Sequence, residues 1–144
     1  MSVNATAPFL TCREVTPYLK KQGEGVIINI SSISMVRPRP GLNAYVASKG
    51  AVVSFSQALA IELAQYGIRV NVVNPGPADT NMLGQFSAKD ADVEDTKDAI
   101  FKKSVPLGKL VQPIDIANSL VYLCSKEAAI VTGSVLNVDG GRGI

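Results

Sequence analysis

Histidine is absent from the sequence. That excludes Ser-His and Cys-His nucleophilic catalysis and removes a common ligand of zinc sites. Cysteine is nearly absent: Cys12 and Cys124 are far apart, in no ligand-like spacing. Both fall in apolar helical patterns, so two buried thiols are expected. No apolar run reaches the roughly 18–20 residues of a membrane span. No basic region followed by an apolar core opens the chain, so no secretory leader is read and a cytoplasmic setting is expected. The Asn4-Ala-Thr6 and Asn29-Ile-Ser31 glycosylation patterns are then chance matches. The formal charge of +2 is too small to argue for nucleic acid or acidic membranes as partners.

What is present suits one α/β domain spanning 1–144, with 47% hydrophobic and 18% charged residues. Residues 3–22 carry a helical pattern through Val3, Ala7, Leu10, Val15 and Leu19, with a kink or tightened turn expected at Pro17. Val26–Ile30 is a continuous apolar run, as a parallel strand covered on both faces should be. Residues 44–66 form the longest helix, with Asn43 placed to cap it and Gly67 to stop it. Arg69–Asn74 and Ser134–Val138 read as strands, and Pro113–Ser125 as a helix with proline in its first turn. Alternating strands and helices predict a parallel sheet with helices on both faces, ligands sitting at the strands' carboxyl ends. The polar segment from Gly84 to Lys103 reads as a solvated surface insertion.

The longest helix is apolar on two stripes: Val52, Phe55, Leu59 and Leu63, and Val53, Ala60 and Ala64. One side can pack on the sheet and the other on a second copy, so a homo-oligomer through residues 44–66 is expected.

The chemistry concentrates in Ser32–Lys49. Tyr45 and Lys49 lie four residues apart near a helix start and share a face. Ser32 follows the first strand. A free phenol has a pKa of about 10, and a nearby ammonium favours its phenolate. Tyr45 can then exchange a proton with a carbonyl or alcohol oxygen, while the Ser32 hydroxyl holds that oxygen. Such chemistry requires a hydride carrier. Arg37 and Arg39, set between prolines, are expected to be solvated loop residues; reception of an anionic substrate is the alternative. Gly140-Gly141-Arg-Gly143 imitates a phosphate loop but has no following helix to supply amide donors.

Tyr45-x-x-x-Lys49, with Ser32 thirteen residues before the tyrosine, resembles the active site of the short-chain dehydrogenase/reductase family. Val3-Asn4, Asn29-Ile-Ser-Ser32, Asn74-Pro-Gly76 with Thr80, and Val131-Thr-Gly133 through Asp139-Gly-Gly141 extend the resemblance over nearly the whole chain. It implies the C-terminal part of a Rossmann-like doubly wound sheet in a three-layer αβα fold. It further implies an oxidoreductase using NAD or NADP on a ketone or secondary alcohol, similar to 3-oxoacyl carrier-protein reductases and sugar or alicyclic alcohol dehydrogenases.

By the same resemblance Tyr45 is the acid/base, Lys49 tunes it and binds the nicotinamide ribose, and Ser32 rather than Ser31 holds the substrate. Asn4 supports a proton relay. Pro75, Gly76, Ala78 and Thr80 lie against the nicotinamide ring, the last two on its carboxamide. For the segment from Gly84 to Lys103 the resemblance implies, instead of a solvated insertion, a lid over substrate. The family's glycine-rich pyrophosphate turn does not occur in this sequence. The alternative is therefore an inactive, truncated chain that only folds or oligomerises.

Overall fold

The computed structural model describes residues 1–80 and 103–144. The predicted insertion or lid from Gly84 to Lys103 lies outside these, apart from Lys103 itself.

Strands β1 (Gly25–Ile30), β2 (Ile68–Pro75) and β3 (Val135–Val138) form one parallel sheet in the order β1-β2-β3. Each strand end falls within a residue of its expected place. The register pairs Ile30 with Val73 and Val73 with Leu136. All three carboxyl ends therefore open on one edge, and the residues after them, Ser31, Gly76 and Asp139, start loops there.

Val70, Asn71, Val72, Val73 and Asn74 are all buried although consecutive. Neighbouring strand residues point to opposite faces, so both faces of β2 are covered. Helices α1 (Ala7–Gln22) and α2 (Asn43–Leu63) pack on each other and on β1, α2 also on β2. Helix α3 (Pro113–Cys124) contacts all three strands and supplies the opposite cover. Cys12, Ile27, Ala60, Leu63, Ile68 and Val70 make the core beneath α1 and α2. Fully burying Leu63 or Ile68 contributes about 2–3 kcal/mol each. Asn71, buried in the sheet, donates to the Val131 carbonyl at 2.8 Å and accepts from the Ser134 amide at 3.0 Å. It thereby ties the entry of β3 to β2, and its burial is satisfied.

Local chemistry corrects several expectations. The helix predicted from residue 3 begins as a π turn, Ser2–Thr6, before α1. Pro17 does not interrupt α1, which runs through it. Its ring is exposed, and the Thr16 hydroxyl donates to the Cys12 carbonyl one turn back at 2.7 Å. Asn43 is the first helical residue, not the cap; Leu42 takes the cap position without a side-chain bond. Gly67 does end the following 3-10 turn at φ 69°, its Cα so close to Gly23 that a Cβ would lie 2.7 Å from the Gly23 oxygen. Cys12 is buried, but Cys124 is exposed. Its neighbour Leu123 takes the inward position on α3, and one helical step turns Cys124 away.

The two apolar stripes of α2 are also mostly spent within the chain. Val52, Val53, Ala60 and Leu63 are buried, and Phe9 of α1 covers Phe55 at 5.3 Å between ring centroids. The exposed face of α2 instead carries Ala47, Ala51, Ser54, Ala58 and Ile61.

Candidate active site

The carboxyl edge of the sheet opens into a cavity of about 320 Å³. Ser32, Tyr45, Lys49, Pro75, Gly76, Ala78 and Thr80 all line it. Of the site residues expected from sequence, Asn4 alone does not. It sits half-buried in the π turn, which packs on α2.

Three hydroxyls follow β1 and each is used differently. Ser31 is buried and donates to the Lys49 carbonyl at 2.8 Å. Ser32 is extended, at φ −163°, and its oxygen accepts from the Ser34 amide at 3.2 Å and the Ser34 hydroxyl at 2.9 Å. With both acceptances satisfied, the remaining Ser32 proton is free to be donated into the cavity. The extended backbone explains why the two serines diverge, as expected from strand alternation.

Tyr45 stands in the first turn of α2, and Lys49 one turn on. The Lys49 ammonium lies 5.8 Å from the Tyr45 ring centroid and donates to the Ile30 carbonyl at 3.2 Å. Burial lowers the pKa of Lys49 from its ordinary value. The cation is thus held at the end of β1 beside the phenol, on the helix face that the i, i+4 spacing required.

The loop after β2 is fixed by close packing. A Cβ at Gly76 would lie 2.6 Å from the Asp139 Cα, and the Gly76 amide donates to Val138 at 2.9 Å. Next, Ala78 pairs in parallel with Val111. The amides used are those of Asp79, to Val111 at 2.9 Å, and of Val111, to Pro77 at 3.0 Å. Ala78's own amide takes no part in this bridge. Thr80 is exposed at the cavity rim.

Two contributors were not found by sequence reasoning. Ser34 polarises Ser32, but a serine in a loop carries no periodic signal. Arg142 is 6% exposed yet lines the cavity, brought there by a turn after β3. The Asp139 carboxylate accepts from the amides of Gly141, at 2.9 Å, and Gly143, at 2.7 Å. Those amides serve an internal anion, which agrees with setting aside a phosphate loop here.

A family model described as enoyl-(acyl carrier protein) reductase matches residues 1–142. The chain belongs to the short-chain dehydrogenase/reductase family. Among its relatives, 4-formylbenzenesulfonate dehydrogenase of Comamonas testosteroni is 38% identical over 144 residues, covering 99% of this chain and 56% of the relative. A crystal structure of 3-ketoacyl-(acyl-carrier-protein) reductase from Brucella melitensis complexed with NADH superposes with a TM-score of 0.88 at 41% identity, over 99% of this chain and 55% of that one. A variant of actinorhodin polyketide ketoreductase with NADPH gives a TM-score of 0.90 at 37% identity, over 97% and 56%. The chain therefore spans little more than half the length of these short-chain dehydrogenases/reductases. The Rossmann-like architecture read from the sequence is the architecture of this family. No helix among the described residues is long and apolar enough to cross a membrane.

Proposed function

We propose that the cavity is the proton-transfer part of an NAD(P)-dependent oxidoreductase interconverting a ketone and a secondary alcohol. The observation that carries this reading is that Ser32, Tyr45, Lys49 and the Pro75–Thr80 loop line one cavity. Its chemical parallels include 3-oxoacyl carrier-protein reduction and the oxidation of sugar or alicyclic alcohols.

The donors present suit a nicotinamide riboside. Lys49 offers an ammonium to ribose hydroxyls, and the Ala78 backbone and Thr80 hydroxyl offer partners for a carboxamide, with Pro75 and Gly76 beside the ring. When bound, NAD or NADP would supply or accept the hydride. Tyr45 gives a proton to the carbonyl oxygen in reduction, or removes one from the alcohol in oxidation. Ser32 donates to the same oxygen as charge develops on it, its own oxygen already polarised by Ser34. Lys49, partly desolvated beside the ring, places its ammonium 5.8 Å from the Tyr45 ring centroid. Asn4, in the π turn packed on α2, supports proton supply toward Lys49. The reading includes a small-molecule substrate, a single 1–144 unit carrying the catalytic part, a cytoplasmic setting and self-association through α2.

The test is turnover by the protein that carries this chain, assayed with NADH and NADPH against a panel of cyclic and β-keto carbonyl compounds. Cofactor-dependent reduction lost in Tyr45→Phe supports the reading. A folded protein with no turnover on the panel would favour the non-enzymatic alternative.

A further inference from the structure

Three guanidinium groups converge on one cavity, although their sequence positions suggest no such grouping. Arg37 follows the 3-10 turn Ile33–Met35, and Pro38 and Pro40 restrict the loop that also displays Arg39. Arg142 arrives from the turn after β3, and all three line the cavity with Tyr45 and Ser32.

Arg37 and Arg142 touch directly. Arg37 Nη1 donates to the Arg142 carbonyl at 3.0 Å. The Arg142 guanidinium donates through one nitrogen, Nη1, to the Ser104 carbonyl at 3.1 Å and to the Ser104 hydroxyl. These acceptors are neutral. Among the described residues no carboxylate lies within ion-pair distance of Arg37 or Arg142. Among the described residues Asp139 acts on Arg142 as a compensating charge, and its two oxygens accept from the Gly141 and Gly143 amides. Burial first, then Arg39 and Arg37, push the Arg142 pKa down, while Asp139 raises it. Among the described residues, Arg37 and Arg142 thus bring two cations to this end of the cavity with no carboxylate paired to either. An arginine has five donors in a fixed fork, and Arg142 spends one nitrogen on protein partners.

We propose that Arg37 and Arg142 form a subsite for the carboxylate of a small-molecule substrate. This deepens the carbonyl-reductase reading and rests on it for the position of the reacting carbon, at Ser32 and Tyr45. The substrate class is then an oxo acid or hydroxy acid, whose carboxylate is held by the arginines while its carbonyl faces the phenol. Lysine at these places would supply charge without the planar fork that matches a carboxylate.

Binding can be read without turnover, so the subsite can fail while the redox reading stands, and the reverse. The protein that carries this chain is titrated by calorimetry with succinate and with uncharged succinamide. Succinate should bind, and succinamide about tenfold or more weaker, since a charge-assisted bidentate contact is lost. Arg37→Met, at an exposed position, should weaken succinate by about tenfold. Arg13→Met, on α1 and paired with Glu14 at 2.7 Å, should leave it within about twofold. Inorganic phosphate displacing succinate in the parent but not altering the Arg37→Met titration would support the same oxyanion-holding groups. No succinate binding at about 10 mM, equal binding of succinamide, or equal loss in Arg13→Met and Arg37→Met would each overturn the subsite.

Discussion

Ser31 and Lys49 lock the end of β1 to α2 from both sides. The Ser31 hydroxyl donates to the Lys49 carbonyl at 2.8 Å, and the Lys49 ammonium returns to the Ile30 carbonyl at 3.2 Å. Ser31, not chosen for the substrate-holding role, is thus the serine that ties α2 to the end of β1. Ser31→Ala should cost about 1 kcal/mol, the net worth of one buried hydrogen bond. Urea denaturation measures it, and an unchanged midpoint would show the clamp to be idle.

Tyr45→Phe keeps the ring and its packing and removes only the transferable proton. Turnover by the protein that carries this chain should fall at least about a hundredfold with the fold intact. Activity within a few-fold of the parent would sink Tyr45 as the acid/base. Ser34→Ala should give a smaller loss, roughly three- to tenfold in kcat, because Ser32 keeps its own proton and loses only its polarising partner.

Lys49 gives a pH test with a definite sign. Burial lowers its pKa from 10.5, so between the folded value and 10.5 the unfolded chain binds more protons. Stability therefore rises with pH across that window, and the desolvation penalty is felt fully below it. In Lys49→Met that term is gone. The melting temperature of the variant relative to the parent should be greatest near neutral pH and decline as pH approaches 10.5. A relative stability that is flat or climbs over this range contradicts the cause assigned to Lys49.

Two glycines should respond in opposite directions. An alanine at Gly76 places its Cβ 2.6 Å from the Asp139 Cα, a backbone atom that cannot step aside. The cost should be about 2 kcal/mol or more, from overpacking. Gly50 lies inside α2 with nothing within 4 Å of a built Cβ. Gly50→Ala should stabilise by about 0.5–1 kcal/mol, from helix propensity alone. Equal effects at the two positions would remove close approach as the reason for glycine at 76.

The sequence was legible where a single local signal decides. The apolar run at Val26–Ile30 and the helix over Tyr45 and Lys49 needed only periodicity, and the spacing alone placed both side chains on one face. Cys124 was misread because an apolar pattern marks a helix without saying which residue turns inward. Asn43 was misread as a cap because the choice between Leu42 and Asn43 depends on loop geometry after Pro40. Arg142 was invisible for a different reason. Its place in the cavity depends on β3 pairing with β2 and on Asp139 folding the last turn, contacts 60 or more residues apart in the chain for Asn74 and Asn137. Long-range pairing of that kind leaves no periodic trace.

The surface expected to join copies of the chain changes with the structure, although the helix does not. The buried stripes of α2 are satisfied by β2 and α1, so they cannot drive association. Its outward face presents Ala47, Ala51, Ser54 and Ala58 as a shallow strip, with Ile61 82% exposed at one end. Small side chains let two helices approach closely, and a symmetric contact would bring each Ile61 against the partner's alanines. Light scattering at micromolar concentration should then give a dimer or larger species. Ile61→Lys, which places a charge where the helices meet, should shift it toward monomer by at least about tenfold in dissociation constant. A parent that is monodisperse as a monomer, or an Ile61→Lys variant that associates like the parent, would remove α2 as the interface.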